Sequence, residues 1–218
     1  MKEKQKMKEK VKEFIVKNLK WIILFICLIG FLAIAEDVFN KEIMNGDIIG
    51  YKLISIFLIS DFATPIAKFI TNFGGAIFLT ILTIILFILI KNKKIGLSIF
   101  SNLVIITALN QLLKNMLQRP RPTEYRIIEE TGYSFPSGHS MISMAFYGYI
   151  IYLIYKYVKN KYIKWISIVL LSILICSIGI SRIYLGVHYT SDVLGGFSIS
   201  ISYLVIYISA VNKFLIEK

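Results

Sequence analysis

Two histidines occur in the 218 residues, His139 and His188, and each has polar neighbours at a spacing that could support chemistry. His188 and Asp192 are four apart in "SRIYLGVHYTSDVLGG", which on a helix puts them on one face, one turn apart. A carboxylate there accepts the Nδ1–H of the imidazole, fixes the tautomer and leaves Nε2 with a free lone pair, a nucleophile or a base. A plain helix-start carboxylate would account for Asp192 alone and leave Arg182, six residues before His188, unexplained. "FPSGHS" (135–140) opens a helix: Pro136 restricts the chain, Ser137 caps, and Gly138 lets backbone approach a ligand. Free N–H groups at such a start bind anions, with His139 at the mouth. By itself this is an ordinary capped helix. "KNMLQRPRP" (114–122) adds Lys114, Arg119 and Arg121, with Lys114 and Arg121 seven apart, about two helical turns, and Pro122 stiffening the chain beyond them. The doubled Arg-Pro pair leaves open, on physical grounds, which arginine matters. Three cations, an open helix N-terminus and two histidines describe a site for a phosphoryl group, with Lys and Arg neutralising its oxygens without a metal.

The elements that must hold these residues are apolar. Of the residues, 56% are hydrophobic, and they fall in runs rather than being dispersed. A bilayer core needs about 20 apolar residues per helical crossing. Residues 21–35, 74–90, 95–113, 141–155, 165–180 and 193–211 are candidates, so the expected fold is all-α: an integral membrane six-helix bundle. Residues 36–73 connect the first two crossings, and the short apolar stretch 48–60 is expected to form an interfacial helix ended near Asp61 and Pro65. The net charge of +12 suggests nucleic acid until its placement is considered. Residues 1–20 carry eight lysines, and 91–94, 156–164 and the tail from Asn212 carry most of the others. All four arginines, Arg119, Arg121, Arg126 and Arg182, lie in the connections 114–138 and 181–190. With the N-terminus inside, every lysine-rich segment is cytoplasmic and the polar chemistry gathers on the outer face of the cell membrane. The charge is then a topology signal, with membrane lipid and not nucleic acid as its partner. Residues 1–20 fit a basic amphipathic segment on the inner leaflet, ahead of a 21–218 membrane domain. "AIAE" after a basic, apolar start resembles a signal-peptide cleavage site, but the length of both parts favours an uncleaved crossing. Cys27 and Cys176 each sit in an apolar run, with no metal or disulfide spacing.

The three polar stretches together resemble the signature of the type 2 phosphatidic acid phosphatase superfamily, K-x6-RP, PSGH and SR-x5-H-x3-D. Lys114…Arg121-Pro122, Pro136-Ser137-Gly138-His139 and Ser181-Arg182…His188…Asp192 match it in order and spacing. The resemblance selects Arg121 over Arg119. It implies a cofactor-free, metal-independent lipid phosphatase in which His188 attacks phosphorus to form a phosphohistidine. Asp192 orients His188, and His139 protonates the leaving oxygen and then activates water. Lys114, Arg121, Ser137, Gly138 and Arg182 hold the phosphoryl oxygens, with Ser181, Pro122 and Pro136 in support. Bacterial relatives act on undecaprenyl diphosphate, phosphatidylglycerophosphate, phosphatidic acid or diacylglycerol pyrophosphate, and the sequence does not separate these or set an oligomeric state. The rivals are a lipid phosphotransferase with the same intermediate, a soluble-type vanadate haloperoxidase, which the apolar runs disfavour, and a lipid-phosphate transporter or scramblase. Transport has no need of His139, or of His188 and Asp192 at this spacing.

Overall fold

The computed structural model describes the backbone of residues 2–41 and 44–216 and the side chains of 17–41 and 44–214. Within these residues the chain is helical: α1 (Lys2–Phe39), α2 (Asn45–Leu58), α3 (Ala63–Asn72), α4 (Ala76–Leu89), α5 (Lys93–Leu117), α6 (Gly138–Tyr157), α7 (Lys161–Tyr184) and α8 (Thr190–Val211), closed by a π-helical turn Asn212–Ile216. The basic segment expected over 1–20 and the first apolar run are one continuous helix. The side chains of 2–16, and with them the expected amphipathic face, lie outside the described residues.

Local signals set the helix limits. Asn92 caps α5 by accepting from the Lys94 N–H at 3.0 Å, and Asn160 caps α7 by accepting from Ile163 at 3.1 Å. Lys93 folds back to donate to the Phe87 carbonyl at 2.9 Å, satisfying the open end of α4. The short helix expected over 48–60 forms as α2 but ends at Leu58. Pro65 does not stop it. Instead it occupies the first turn of α3, where a missing N–H costs nothing.

Among the described residues, four helical segments are long and apolar enough to cross a bilayer: 17–39, 93–117, 161–184 and 190–214. The run 74–90 does not form the single straight crossing expected. Its helix α4 has 14 residues and meets α3 at a 48° bend, the pair together counting as a fifth span. Phe73 to Gly75 make the break, and the His139 ring lies against it: a methyl at Gly74 would stand 3.3 Å from His139 Cδ2. The 20 residues of α6 reach about 30 Å at 1.5 Å each. Its first half mixes serines with apolar residues, and Ser140, Met141, Ser143, Ala145, Phe146 and Tyr147 there are buried, with α5, α7 and α8 packed against the helix.

Side chains that face outward are apolar, as in a membrane protein: Phe25, Ile26, Ile29 and Leu32 on α1 are exposed, whereas Leu24, Phe31 and Val38, at seven-residue spacing, are buried. That buried stripe packs on α8, where Ser202 donates to the Leu24 carbonyl at 3.1 Å, and on Phe135, whose ring stacks on Phe31 at 5.7 Å. Where helices come closest the residues are small. A methyl at Gly196 would stand 3.2 Å from both Met141 N and Ser137 O, and one at Gly195 would strike the Phe135 ring at 2.7 Å. This pair lets the start of α8 lie against the start of α6. On the other side, α2 docks on α8 through Asp47 and Gly50, and Tyr51 stacks on Tyr125 at 5.1 Å.

The Gly50 contact is a test of that docking. A methyl there would stand 2.1 Å from Thr190 Oγ1 and 3.0 Å from both Thr190 Cβ and Cγ2, and a β-branched side chain cannot turn out of the way. Gly50→Ala is expected to destabilise the protein by about 1–3 kcal/mol through overpacking. Thermal melting of the purified protein in detergent checks this, and an unchanged midpoint would contradict the contact.

Candidate active site

The site lies at the end of the bundle where α5 and α7 finish and α6 and α8 begin. α5 stops at Leu117, and Gln118 follows in a left-handed conformation with φ 45°. Lys114 and Arg121 therefore do not share a helix face, as their spacing suggested: Lys114 is in the last turn, and Arg121 comes back to the same place through the connection after it. That connection is pinned. Ser134 N–H donates to Arg119 O at 2.8 Å, its hydroxyl to Pro120 O at 3.0 Å, and Ile127 N–H to Leu185 O at 3.0 Å. Gly186, at φ +70°, makes the turn out of α7; a side chain there would be strained and would strike the Tyr125 carbonyl.

His188 precedes α8 rather than lying on it, since Tyr189 is the N-cap and Asp192 the third helical residue. The pair closes all the same, with His188 Nδ1 3.2 Å from Asp192 Oδ2. The same oxygen accepts the Tyr189 N–H at 2.9 Å, so Asp192 both caps the helix and holds the imidazole. On the opposite edge of the ring, Arg121 Nη1 lies 3.0 Å from Nε2. A guanidinium has only donors, so Nε2 accepts and Nδ1 carries the proton that goes to Asp192. Burial drives the His188 pKa down to about 4, with Arg182 and Arg121 acting in the same direction and Asp192 opposing them. The ring is neutral at pH 7, and its Nε2 lone pair points at an arginine.

Around that lone pair the expected residues assemble. Ser137 caps α6, its Oγ accepting from Ser140 N–H at 3.5 Å and from the Ser140 hydroxyl at 3.0 Å, while its own N–H donates to the Asp192 carbonyl at 3.0 Å. Gly138 begins α6, where a methyl would stand 3.1 Å from Asn110 Oδ1 and 3.9 Å from Lys114 Cε. Asn110 in turn donates to Pro136 O at 3.2 Å, tying the PSGH turn to α5. Lys114 Nζ donates to the Tyr133 carbonyl. Arg182 is 1% exposed; it donates to Thr71 Oγ1 at 2.8 Å and to Glu130 Oε1 at 2.6 Å, and its Nε is buried without a partner. Arg182, His188, Arg121 and Lys114 all lie near enough to His139 to act on its charge. Ser181 is the exception: its hydroxyl donates to Ile178 O at 2.6 Å within α7 and reaches none of these groups. Pro122 serves through its carbonyl, which accepts from Arg126 Nε.

Residues that the sequence reading passed over complete the picture. Arg119, set aside in favour of Arg121, is 8% exposed and pairs with Asp192 Oδ1 and with Asp47 Oδ2, each at 2.7 Å. Both arginines of the doubled Arg-Pro thus reach the His188–Asp192 pair, one behind the carboxylate and one in front of the imidazole. The doubling was the signal for Arg119; a lone carboxylate in "NGDIIG" was the faint one for Asp47. Glu130 had none. Burial works to raise its carboxyl, but the hydrogen bond and charge of Arg182, with Arg121 and His188, hold it below the usual carboxylate range.

An apolar helical bundle with a neutral histidine aimed into a pocket of cations and an open helix N-terminus defines a multi-pass membrane protein built to engage an oxyanion. The chain belongs to the PAP2 superfamily, whose pattern matches residues 94–216, more than half of the chain. It is 39% identical over 94 residues to phosphatidylglycerophosphatase B of Bacillus subtilis (strain 168), a match covering 43% of this chain and 46% of that one. It is 28% identical over 160 residues to lipid A 1-phosphatase of Rhizobium etli, covering 60% and 64%. These matches span less than two thirds of either relative. Among solved structures, the transmembrane PAP2-type phosphatidylglycerolphosphate phosphatase from Bacillus subtilis superposes with a TM-score of 0.77 at 28% identity, over 88% of this chain and 96% of that one. LpxE of Aquifex aeolicus superposes with a TM-score of 0.60 at 24% identity, over 73% and 92%, a likeness of fold.

Glu130 stands where it competes with an incoming anion for Arg182. Glu130→Gln removes that negative charge and is expected to tighten binding of orthovanadate, a phosphate mimic, about three- to tenfold. Calorimetric titration of the two proteins in detergent checks this; equal or weaker binding by the variant would show that the carboxylate organises the pocket rather than competing for it.

Proposed function

We propose that this protein is a membrane lipid phosphatase that hydrolyses a lipid phosphate or diphosphate through a phosphohistidine. One observation carries the reading: Asp192 holds Nδ1 of His188 and so fixes its tautomer, and the Nε2 lone pair on the opposite edge of the ring is met by the Arg121 guanidinium. In the first step Nε2 attacks phosphorus while Arg121 passes from the imidazole to a phosphoryl oxygen. The P–O bond to the lipid breaks, and protonated His139 gives its proton to the leaving oxygen. Lys114, Arg121, Arg182, the Ser137 hydroxyl and the Gly138 N–H stabilise the charge on the transferring group. In the second step His139, now neutral, takes a proton from water. The water oxygen attacks phosphorus, the P–N bond breaks, and phosphate leaves with His188 restored.

The membrane setting fits a substrate whose headgroup enters at the bundle end while its tail stays in the bilayer. If α6 and the bent α3–α4 pair also cross, the six crossings expected from the sequence are reached, and the positive-inside rule then favours cytoplasmic termini and lysine-rich connections with the site on the outer side of the cell membrane. Phosphatidylglycerophosphate is supported by the likeness to the Bacillus phosphatidylglycerophosphatase in sequence and in fold; undecaprenyl diphosphate and phosphatidic acid also present a terminal phosphoryl group.

Purified protein in detergent with excess EDTA is expected to release inorganic phosphate from at least one of these lipids. His188→Ala is expected to lower the rate by about 10⁴-fold or more. With a leaving group that needs no acid, acid-labile phosphate should accumulate on the His139→Ala chain, where His188 is intact and the second step lacks its base. Phosphate release equal in the His188 variant would overturn the mechanism, and transfer to a second lipid without free phosphate would make the protein a phosphotransferase.

A further inference from the structure

The chain of charges behind His188 does not end at Asp192. Asp192 Oδ2 serves His188 and the Tyr189 N–H, and Oδ1 is taken by Arg119 Nη1 at 2.7 Å. Arg119 spends its other terminal nitrogen on Asp47 Oδ2, also at 2.7 Å. Asp47 reaches across from α2: its Oδ1 accepts the Ser191 N–H at 2.7 Å and its Oδ2 the Ser191 hydroxyl at 2.9 Å. The Ser191 oxygen accepts from Arg119 Nη1 at 2.7 Å, which closes the ring of contacts. The Arg119 guanidinium lies over the Tyr189 ring at 4.1 Å, next in sequence to the nucleophile. Asp47, Arg119 and Asp192 are all buried, so none of these charges is maintained by solvent.

We propose that Asp47 and Arg119 are positioning residues for the His188–Asp192 pair, forming a buried relay that runs from α2 to the nucleophile. The inference rests on the phosphohistidine reading and extends it to a helix outside the matched region of the family. Arg119 fixes the rotation of the Asp192 carboxylate, because one oxygen held at 2.7 Å leaves the other aimed at His188 Nδ1. Asp47 holds Arg119 in turn and returns the negative charge that Arg119 withdraws from Asp192. A plain helix cap for α8 would use the Ser191 N–H and need no arginine. The shared guanidinium is what makes Asp47 part of the site.

The two substitutions therefore act on His188 in opposite senses. Asp47→Asn leaves the Arg119 cation without its second carboxylate, disfavours a positive imidazole and moves the acid limb of kcat/KM to lower pH. Arg119→Gln frees Asp192 to favour the positive imidazole and moves that limb to higher pH. The other charged and titratable groups that face His188 are untouched in both variants: Arg182 on α7, Lys114 on α5, His139 on α6, and Arg121 and Glu130 on the connection 118–137. Ionisation of the lipid phosphate is common to all.

The experiment is steady-state phosphate release by the full chain in detergent across pH, for wild type, the two single variants, the double variant Asp47→Asn/Arg119→Gln and His188→Ala. The expected result is a kcat reduced roughly 10- to 100-fold in each single variant, from loss of alignment, with KM within about threefold of wild type. The acid limbs should shift in opposite directions, and the effects should be non-additive in the double variant. Folded single variants whose kcat stays within about twofold of wild type, or whose acid limbs do not move, overturn the proposal. If single variants leaving one buried charge unpaired fail to fold, the double variant, which removes both, carries the test, and a wild-type kcat there overturns it. Active His188→Ala would instead overturn the nucleophile assignment, whatever the Asp47 variants do.

Discussion

Two helix N-termini meet in this protein one hydrogen bond apart. Ser137 N–H, at the cap of α6, donates to the carbonyl of Asp192, in the first turn of α8. Each N-terminus carries about half a positive charge, so the meeting is repulsive unless negative charge is brought to it. Much of the surrounding structure supplies that charge. Asp192 lies at the junction itself, and Asp47 arrives from α2 to accept the Ser191 N–H. Gly195 and Gly196 permit the approach, since a methyl at either would strike Phe135 or the first turn of α6. The electropositive character of the site thus begins in the backbone, before Lys114, Arg121 or Arg182 is counted.

The placement of carboxylates follows from the same constraint. Four cations, Lys114, Arg119, Arg121 and Arg182, would make the pocket too positive to stay dry and ordered. Arg119 and Arg182 are buried and Lys114 and Arg121 half-buried, and breaking a buried pair leaves an uncompensated charge at a cost of about 3–5 kcal/mol. Asp192 and Asp47 neutralise Arg119 deep in the site, and Glu130 neutralises Arg182 from the rim, where its side chain is 29% exposed. The deep pair is locked by several partners each. The rim pair depends on one carboxylate on a connection between helices. The site is rigid behind the imidazole and changeable in front of it.

Much of this was legible in the sequence because it rests on short-range rules. The Ser137 cap, the His188–Asp192 spacing and the helical character of the apolar runs are set by neighbours within a turn or two; the cap and the pair appear where expected, and four of the six runs lie in helices long and apolar enough to cross a bilayer. What could not be read depends on residues far apart in the chain. Arg119 differs from Arg121 only in where the connection after α5 turns, and that turn is set by Ser134 and Leu185, well downstream. Asp47 gains meaning only when α2 packs on α8, across more than 140 residues. The run 74–90 looked like one crossing because composition is blind to a bend; the break at Phe73–Gly75 is shaped by the His139 ring on another helix.

Arg121 rests on the nitrogen that the proposed mechanism makes the nucleophile, and it is held there by the carbonyls of Thr131, Gly132 and Val187 as well. A headgroup that draws it away must offer more than an imidazole lone pair. A phosphomonoester dianion does so; the phosphodiester of an ordinary phospholipid, with a single charge, offers half as much. On the proposed mechanism, in a bilayer crowded with diesters, the arginine is a lock on the imidazole, and the second charge of a terminal phosphate is the key.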